Sequence, residues 1–311
     1  MIEVFVNSGW RSRLSTRWVS PVRACCAAFA LCGLIGSTQA AFITFEGASA
    51  DVAGLTPVRD GFRTAVGGGS LAAANGDFGG LRREINWDGI PDVRADPNPL
   101  PADFFNVTSP RGVQFSSPTF GASFAVSANA ALATPILFGF PLDLQVFSAQ
   151  RLFATVGSRF TDIHFFVPGT STTATTSAFG AVFVDVEDNS ASVFTLMEFF
   201  DTNDALIFSR NVLAAGNQGL SFLGGVANGG ERIARVRITT PDNFLLGNGR
   251  RANESVDFVV MDDFLYATPQ AIGRAVSEPA GLGLVLLSLG AAWATSRRRT
   301  WLHCHRTVRR S

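Results

Sequence analysis

The chain has 311 residues, 47% of them hydrophobic and 16% charged, with a formal net charge of zero. That zero balances unlike parts: residues 41–276 carry 15 Arg against 23 Asp and Glu, a net charge of −8, between two basic ends, and an acidic body argues against nucleic-acid partners. All four cysteines (Cys25, Cys26, Cys32 and Cys304) lie outside these 236 residues, which excludes disulfide and thiolate chemistry there, and a body of that size buries a full core without staples.

The first forty residues read as a secretory signal. Arg11, Arg13, Arg17 and Arg23 precede the apolar run "ACCAAFALCGLIG" from Ala24 to Gly36, and "STQA" follows, with small Thr38 and Ala40 at the −3 and −1 positions of a cut before Ala41. This three-part pattern is what signal peptidase reads. A lipoprotein signal is excluded, because Phe29, Ala30 and Leu31 precede Cys32 where a small residue must adjoin the cysteine.

From Ala41 to Val276 the periodicity is that of strands, and helix-period stretches are nearly absent. Strands are predicted at residues 41–47, 112–117, 123–128, 151–156 and 162–167, then at 178–187, 192–200, 205–213, 220–225, 232–240 and 255–267. "DTND" (Asp201–Asp204) is a hairpin turn. In "RIARVRITT" Ala234, Val236 and Ile238 face one way while Arg235 and Arg237 face the other, the mark of an antiparallel strand buried on one side. Eleven such strands predict one all-β domain, an antiparallel two-sheet β-sandwich of jelly-roll type. The segment 72–110, rich in Gly, Asp and Pro, reads as a long excursion over its surface.

Within the body, residue types for catalysis are scarce. His164 is its only histidine and sits between strand residues as a satisfied core or surface group; no Gly-x-Ser-x-Gly elbow accompanies it. The Gly-rich stretch Gly67–Gly80 lacks the Gly-Lys-Ser/Thr of a phosphate loop.

Two acidic groupings remain. Glu46 in the first strand and Asp262 and Asp263 in the last supply hard oxygen ligands, and they resemble the acidic pairs with which extracellular jelly-roll domains hold a structural calcium ion, Ca2+. Strict alternation places Asp262 with Phe258, Val260 and Phe264, and Asp263 with Val259, Met261 and Leu265, so one carboxylate points to an apolar side. Either an ion or hydrogen-bond donors must compensate it. Trp87, with Asp88 and Asp92 nearby, forms the second grouping. It suits a sugar ring stacked on the indole, and more simply a tryptophan that plugs its loop onto the sheet.

The C-terminal segment closes the chain. Glu278 and Pro279 precede seventeen uncharged residues, Ala280–Ser296, and then Arg297, Arg298 and Arg299. A helix over this run spans roughly 25 Å, slightly less than a hydrocarbon core, with arginines held on the cytoplasmic side. This tail, paired with an N-terminal signal, resembles the PEP-CTERM proteins of Gram-negative bacteria. Two departures from that pattern are visible: Ser277 stands where the first proline of Pro-Glu-Pro would be, and a basic tail, residues 300–311, follows the arginines. The resemblance implies sorting by residues 277–299, processing by an exosortase-type transpeptidase, transient anchoring in the membrane, and a link to extracellular polysaccharide. The expected function is that of an exported, non-enzymatic surface or matrix protein; the other reading is a carbohydrate-binding module or glycan-active enzyme on the same scaffold.

Overall fold

The structure, a computed structural model, describes residues 41–68, 81–129 and 137–273. The signal segment 1–40, the sorting residues Glu278, Pro279 and Arg297–Arg299, and the basic tail lie outside the described residues.

In chain order the strands are β1 (Phe42–Ser49), β2 (Arg82–Ile85), β3 (Val113–Ser116), β4 (Ser123–Val126), β5 (Phe153–Val156), β6 (Phe160–Phe165), β7 (Ala174–Thr175), β8 (Ala178–Val184), β9 (Leu196–Phe200), β10 (Leu206–Asn211), β11 (Leu220–Ala227), β12 (Arg235–Thr239), β13 (Val260–Ala267) and β14 (Gln270–Ala271). Two α-helices, α1 (Val52–Val66) and α2 (Phe104–Val107), join them. Each of the eleven strands expected from the sequence is present, with its ends moved by a few residues.

The strands form two main sheets. One has the order β1-β11-β8-β13-β5-β4, with β2 also paired to β13; the other runs β10-β9-β12-β6-β3. Every pairing within them is antiparallel. Alternation makes this a sandwich: Val236 and Ile238 of β12, Ile163 of β6 and Phe199 of β9 are buried in one core with Phe179, Met261 and Phe264 of the first sheet. The turn at Asp201–Asp204 is capped by Asp201, whose Oδ1 accepts the N–H groups of Asn203 (2.8 Å) and Ala205 (2.9 Å).

The near-absence of helix is corrected by α1. Asp51 caps its start, accepting the Gly54 N–H at 2.8 Å, and the N–H of Gly67, at φ 96°, closes its end on the Arg63 carbonyl. Leu55, Val58, Phe62 and Val66 form a helix-spaced stripe that packs on the outer face of the first sheet. The sheet is flattened to receive it: Gly224 lies opposite Gly180, and a Cβ on Gly224 would come within 2.7 Å of the Phe62 ring.

The expected surface excursion is corrected as well. From Leu81 to Pro110 the chain contributes β2, α2 and a row of core side chains: Ile85, Trp87, Ile90, Leu100, Phe104 and Phe105 are all buried. Few apolar residues lie there, but those few are large, three of the six being aromatic, and they fill the sandwich. Among the described residues no helix is long and apolar enough to cross a membrane.

Candidate functional site

The groups expected to share a calcium ion are not brought together. Glu46 lies on β1, with β11 and β8 between it and β13, so roughly 14 Å of sheet separates it from the aspartates. It also stands on the other face. Its register partner Leu223 belongs to the inner core, and its carboxylate closes the open side of the sandwich on Arg210 of β10, with Nη2–Oε1 at 2.6 Å. That guanidinium holds the Glu46 carboxyl below its ordinary range.

Asp262 and Asp263 both point outward, under α1. The register of β13 on β8 passes from Met261 opposite Phe183 to Phe264 opposite Ala181, three residues against two. This bulge puts two consecutive residues on one face, so the strict alternation expected from the sequence is corrected. Phe258, Val260 and Leu265 pack on the outer side, while Val259, Met261 and Phe264 pack inside. The carboxylates are compensated by donors. Asp262 Oδ2 accepts the N–H groups of Phe147 (2.7 Å) and Ser148 (3.1 Å), and the Ser148 hydroxyl lies 3.0 Å from Asp262 Oδ1 and 2.8 Å from Asp263 Oδ1. Arg59 of α1 stands 3.5 Å from Asp263. Burial, with Asp263 beside it, raises the Asp262 carboxyl well above the usual range, and burial brings Asp263 to about 6. Among the described residues no group of three or more His, Cys, Asp or Glu side chains is arranged to hold a metal ion.

Trp87 is 1% exposed: it plugs its loop onto the sheet, and its expected role as a ligand platform is corrected. A left-handed backbone, φ 66°, turns the indole inward, where it stacks on Phe153 at 4.3 Å and 9°. Its Nε1–H donates to the Asp262 carbonyl at 2.7 Å. Asp88 accepts the main-chain N–H groups of Gln150 and Arg151, and Asp92 pairs with the Arg151 guanidinium. These two carboxylates thus brace the 86–98 loop against the start of β5. A cleft of about 240 Å³ lies beside this loop, lined in part by Asn86, Ile90, Thr108 and Arg111.

The surface best equipped for a polar ligand is the outer face of the second sheet. Cross-strand register aligns its outward side chains in two rows. Gln114, His164, Arg235 and Phe200 stand side by side across β3, β6, β12 and β9; Ser116, Asp162, Arg237 and Glu198 form the next row. Arg237 grips Asp162 with two bonds of 2.7 Å, and Arg235 reaches the same carboxylate at 3.3 Å. The Arg235 guanidinium also lies 3.8 Å from the centre of the Phe200 ring. His164 Nε2 meets the Ser116 hydroxyl at 2.8 Å; burial, aided by the two arginines and opposed by Asp162, keeps the imidazole below its usual pKa and therefore neutral. Among the described residues Gln114 and Glu198 make no side-chain hydrogen bond and keep donors and acceptors for other groups. Alternation marked Arg235 and Arg237 as outward from sequence. Their alignment with His164, Gln114 and Phe200 depends on register between distant segments, which no local pattern encodes.

No known protein family matches the chain, and no curated protein is similar to it. Among solved structures it is similar to a fucose-binding module of Streptococcus pneumoniae, at 10% identity and a TM-score of 0.20, over 37% of this chain and 70% of that one. A likeness of that size does not bear on what this chain binds.

Proposed function

We propose that this chain is an exported, non-enzymatic β-sandwich of jelly-roll type that acts at the cell surface or in the extracellular matrix. In this reading signal peptidase removes residues 1–40, and the PEP-CTERM-like tail, carrying a helix over Ala280–Ser296, is sorted by an exosortase-type enzyme. The observation that carries the reading is the agreement between the expected cut and the start of the fold. Ala41 is bonded to Asn228, and β1 is in register with β11 from Phe42 onward. A cut before Ala41 leaves every described strand in place. The test is localisation of the full chain, of a chain ending at Val276, and of one in which Arg297–Arg299 are replaced by acidic residues. Retention of surface display by both variants would overturn the sorting role.

A second reading, favoured by the two polar rows of the second sheet, is that the body binds extracellular polysaccharide. Guanidinium, amide, hydroxyl and carboxylate groups side by side across four strands match the alternating donors and acceptors of a polyhydroxyl chain. Glycan-array binding that falls at least tenfold in Arg235→Ala and Gln114→Ala supports it; binding unchanged in both rejects it.

A further inference from the structure

Ala41, the first residue after the expected cut, is held by its main chain on both sides. Its carbonyl accepts the Asn228 N–H at 2.9 Å, and its nitrogen donates to Glu231 Oε1 at 2.7 Å. Glu231 is itself set in place, because its Oε2 accepts the Gly229 N–H at 2.8 Å. The carboxylate therefore sits at the surface, in the loop after β11, in line with the nitrogen that a signal peptidase would release. The Ala41 N–H, with further main-chain donors including that of Gly229, already holds the Glu231 carboxyl below its ordinary range.

Hydrolysis changes what stands opposite that carboxylate. Water adds across the Ala40–Ala41 bond: the hydroxyl goes to the Ala40 carbonyl carbon and a proton to the Ala41 nitrogen. The released amine takes a further proton from solvent at neutral pH, since α-amino groups titrate near 8. A neutral amide becomes a cation, 2.7 Å from a carboxylate. We propose that Glu231 is a docking site for the processed N-terminus, an ion pair that exists only after the signal is removed and that pins the edge strand β1 in the mature protein. The proposal rests on the reading that cleavage follows Ala40. Arg210 on Glu46 holds the same strand farther along, so maturation adds a second fastening at its free end.

The sequence makes the test direct. The chain has no lysine, so the mature protein carries one amine, that of its N-terminus. The full chain is expressed with its signal in a Gram-negative host, recovered after export, and its N-terminus is read by mass spectrometry. Reductive methylation with 13C-formaldehyde then gives one resonance, whose pH titration yields the pKa of that amine. With Ala41 first, the wild-type amine is expected to titrate about half a unit to one unit higher than in Glu231→Gln, with Glu231→Asp between them and the control Glu254→Gln unchanged. Acetylating the single amine is expected to lower the melting temperature of the wild type by about 1–3 °C and to leave Glu231→Gln unmoved. Equal pKa values in wild type and Glu231→Gln overturn the docking site while leaving the processing site intact. A first residue other than Ala41 overturns both.

Discussion

Asp262 and Asp263 are consecutive in the chain, yet both carboxylates meet the hydroxyl of Ser148, at 3.0 and 2.8 Å. A strand with regular alternation would send them to opposite faces. The bulge in β13 sends them to one, and the Ser148 hydroxyl has a single proton to give. The second contact therefore calls for a proton on one of the carboxyls, in accord with the raised Asp262.

This arrangement fixes the sign of a pH dependence. A buried carboxyl whose folded pKa lies above its unfolded value of about 4 binds more protons in the folded state. Its stabilising contribution is complete below pH 4 and is lost as pH rises through the folded pKa, which for Asp263 is about 6. An asparagine at position 262 would reproduce the protonated form: its oxygen accepts from Phe147 and Ser148 while its amide donates to the hydroxyl. Asp262→Asn is expected to match or exceed wild-type stability at pH 8. It is also expected to flatten the fall in stability between pH 5 and pH 8, because one of the two raised carboxyls no longer titrates. Parallel stability–pH curves for the two proteins, from urea unfolding, would contradict this account.

The calcium expectation has a separate check. With Glu46 engaged by Arg210 on the inner side and the aspartates satisfied by Ser148 and main-chain donors on the outer side, these three residues assemble no common ion site. Thermal melts in excess calcium and in excess EGTA are expected to coincide. An ion bound at 100 times its dissociation constant would instead add about 2.7 kcal/mol.

Trp87 lends itself to spectroscopy. It is the only tryptophan among the described residues, and its indole lies between Phe153, Phe105 and Phe264. The emission lost in Trp87→Phe is expected to be blue-shifted, shielded from iodide, and unchanged by added glycans. The same substitution leaves the Asp262 carbonyl without its donor and opens space in the core, at an expected cost of about 2–4 kcal/mol in denaturant unfolding. A glycan-induced shift in that emission would return the tryptophan to the ligand-binding surface.

Gly224 tests the bed beneath α1. Its Cα faces Phe62, and the space a methyl group would occupy is already taken by the ring, whose Cδ2 is 2.7 Å away. Gly224→Ala is expected to destabilise by about 1–3 kcal/mol through overpacking. A cost no larger than a typical surface change would mean that the helix shifts to accommodate it.

Legibility followed the range of the interactions. The strands were readable because alternation is local: "RVRIT" of β12 names its own buried face. The helix also left local marks, with Asp51 as cap, Gly67 as stop, and Leu55, Val58, Phe62 and Val66 as stripe. Gly54, Pro57 and Gly61 interrupt that stripe with residues of low helix propensity, and packing on the sheet overrides them. The bulge at Asp262 was hidden because it adds one residue relative to β8, a partner some eighty positions away. The polar rows of the second sheet were hidden for the same reason. Gln114, His164, Arg235 and Phe200 come from four segments whose alignment exists only once the sheet has formed. The burial of Trp87 was legible only as one of two readings, because its loop is short of apolar residues on average, and an average does not show that one large ring fills the gap between sheets.

The two ends of the described body leave the fold close together. Ala41 is bonded to Asn228, the next bond joins Ala227 to Ser177, and Gln270 lies opposite Thr175 in the small β14–β7 ladder. At the opposite end of β8 stand Asp185, Glu187 and Asp257, with Asp143 near enough to act on them; burial, together with these neighbours, raises the Asp185 carboxyl to about 7. Were the body tethered through its C-terminal tail, as proposed, this carboxyl cluster would stand at the end far from the tether.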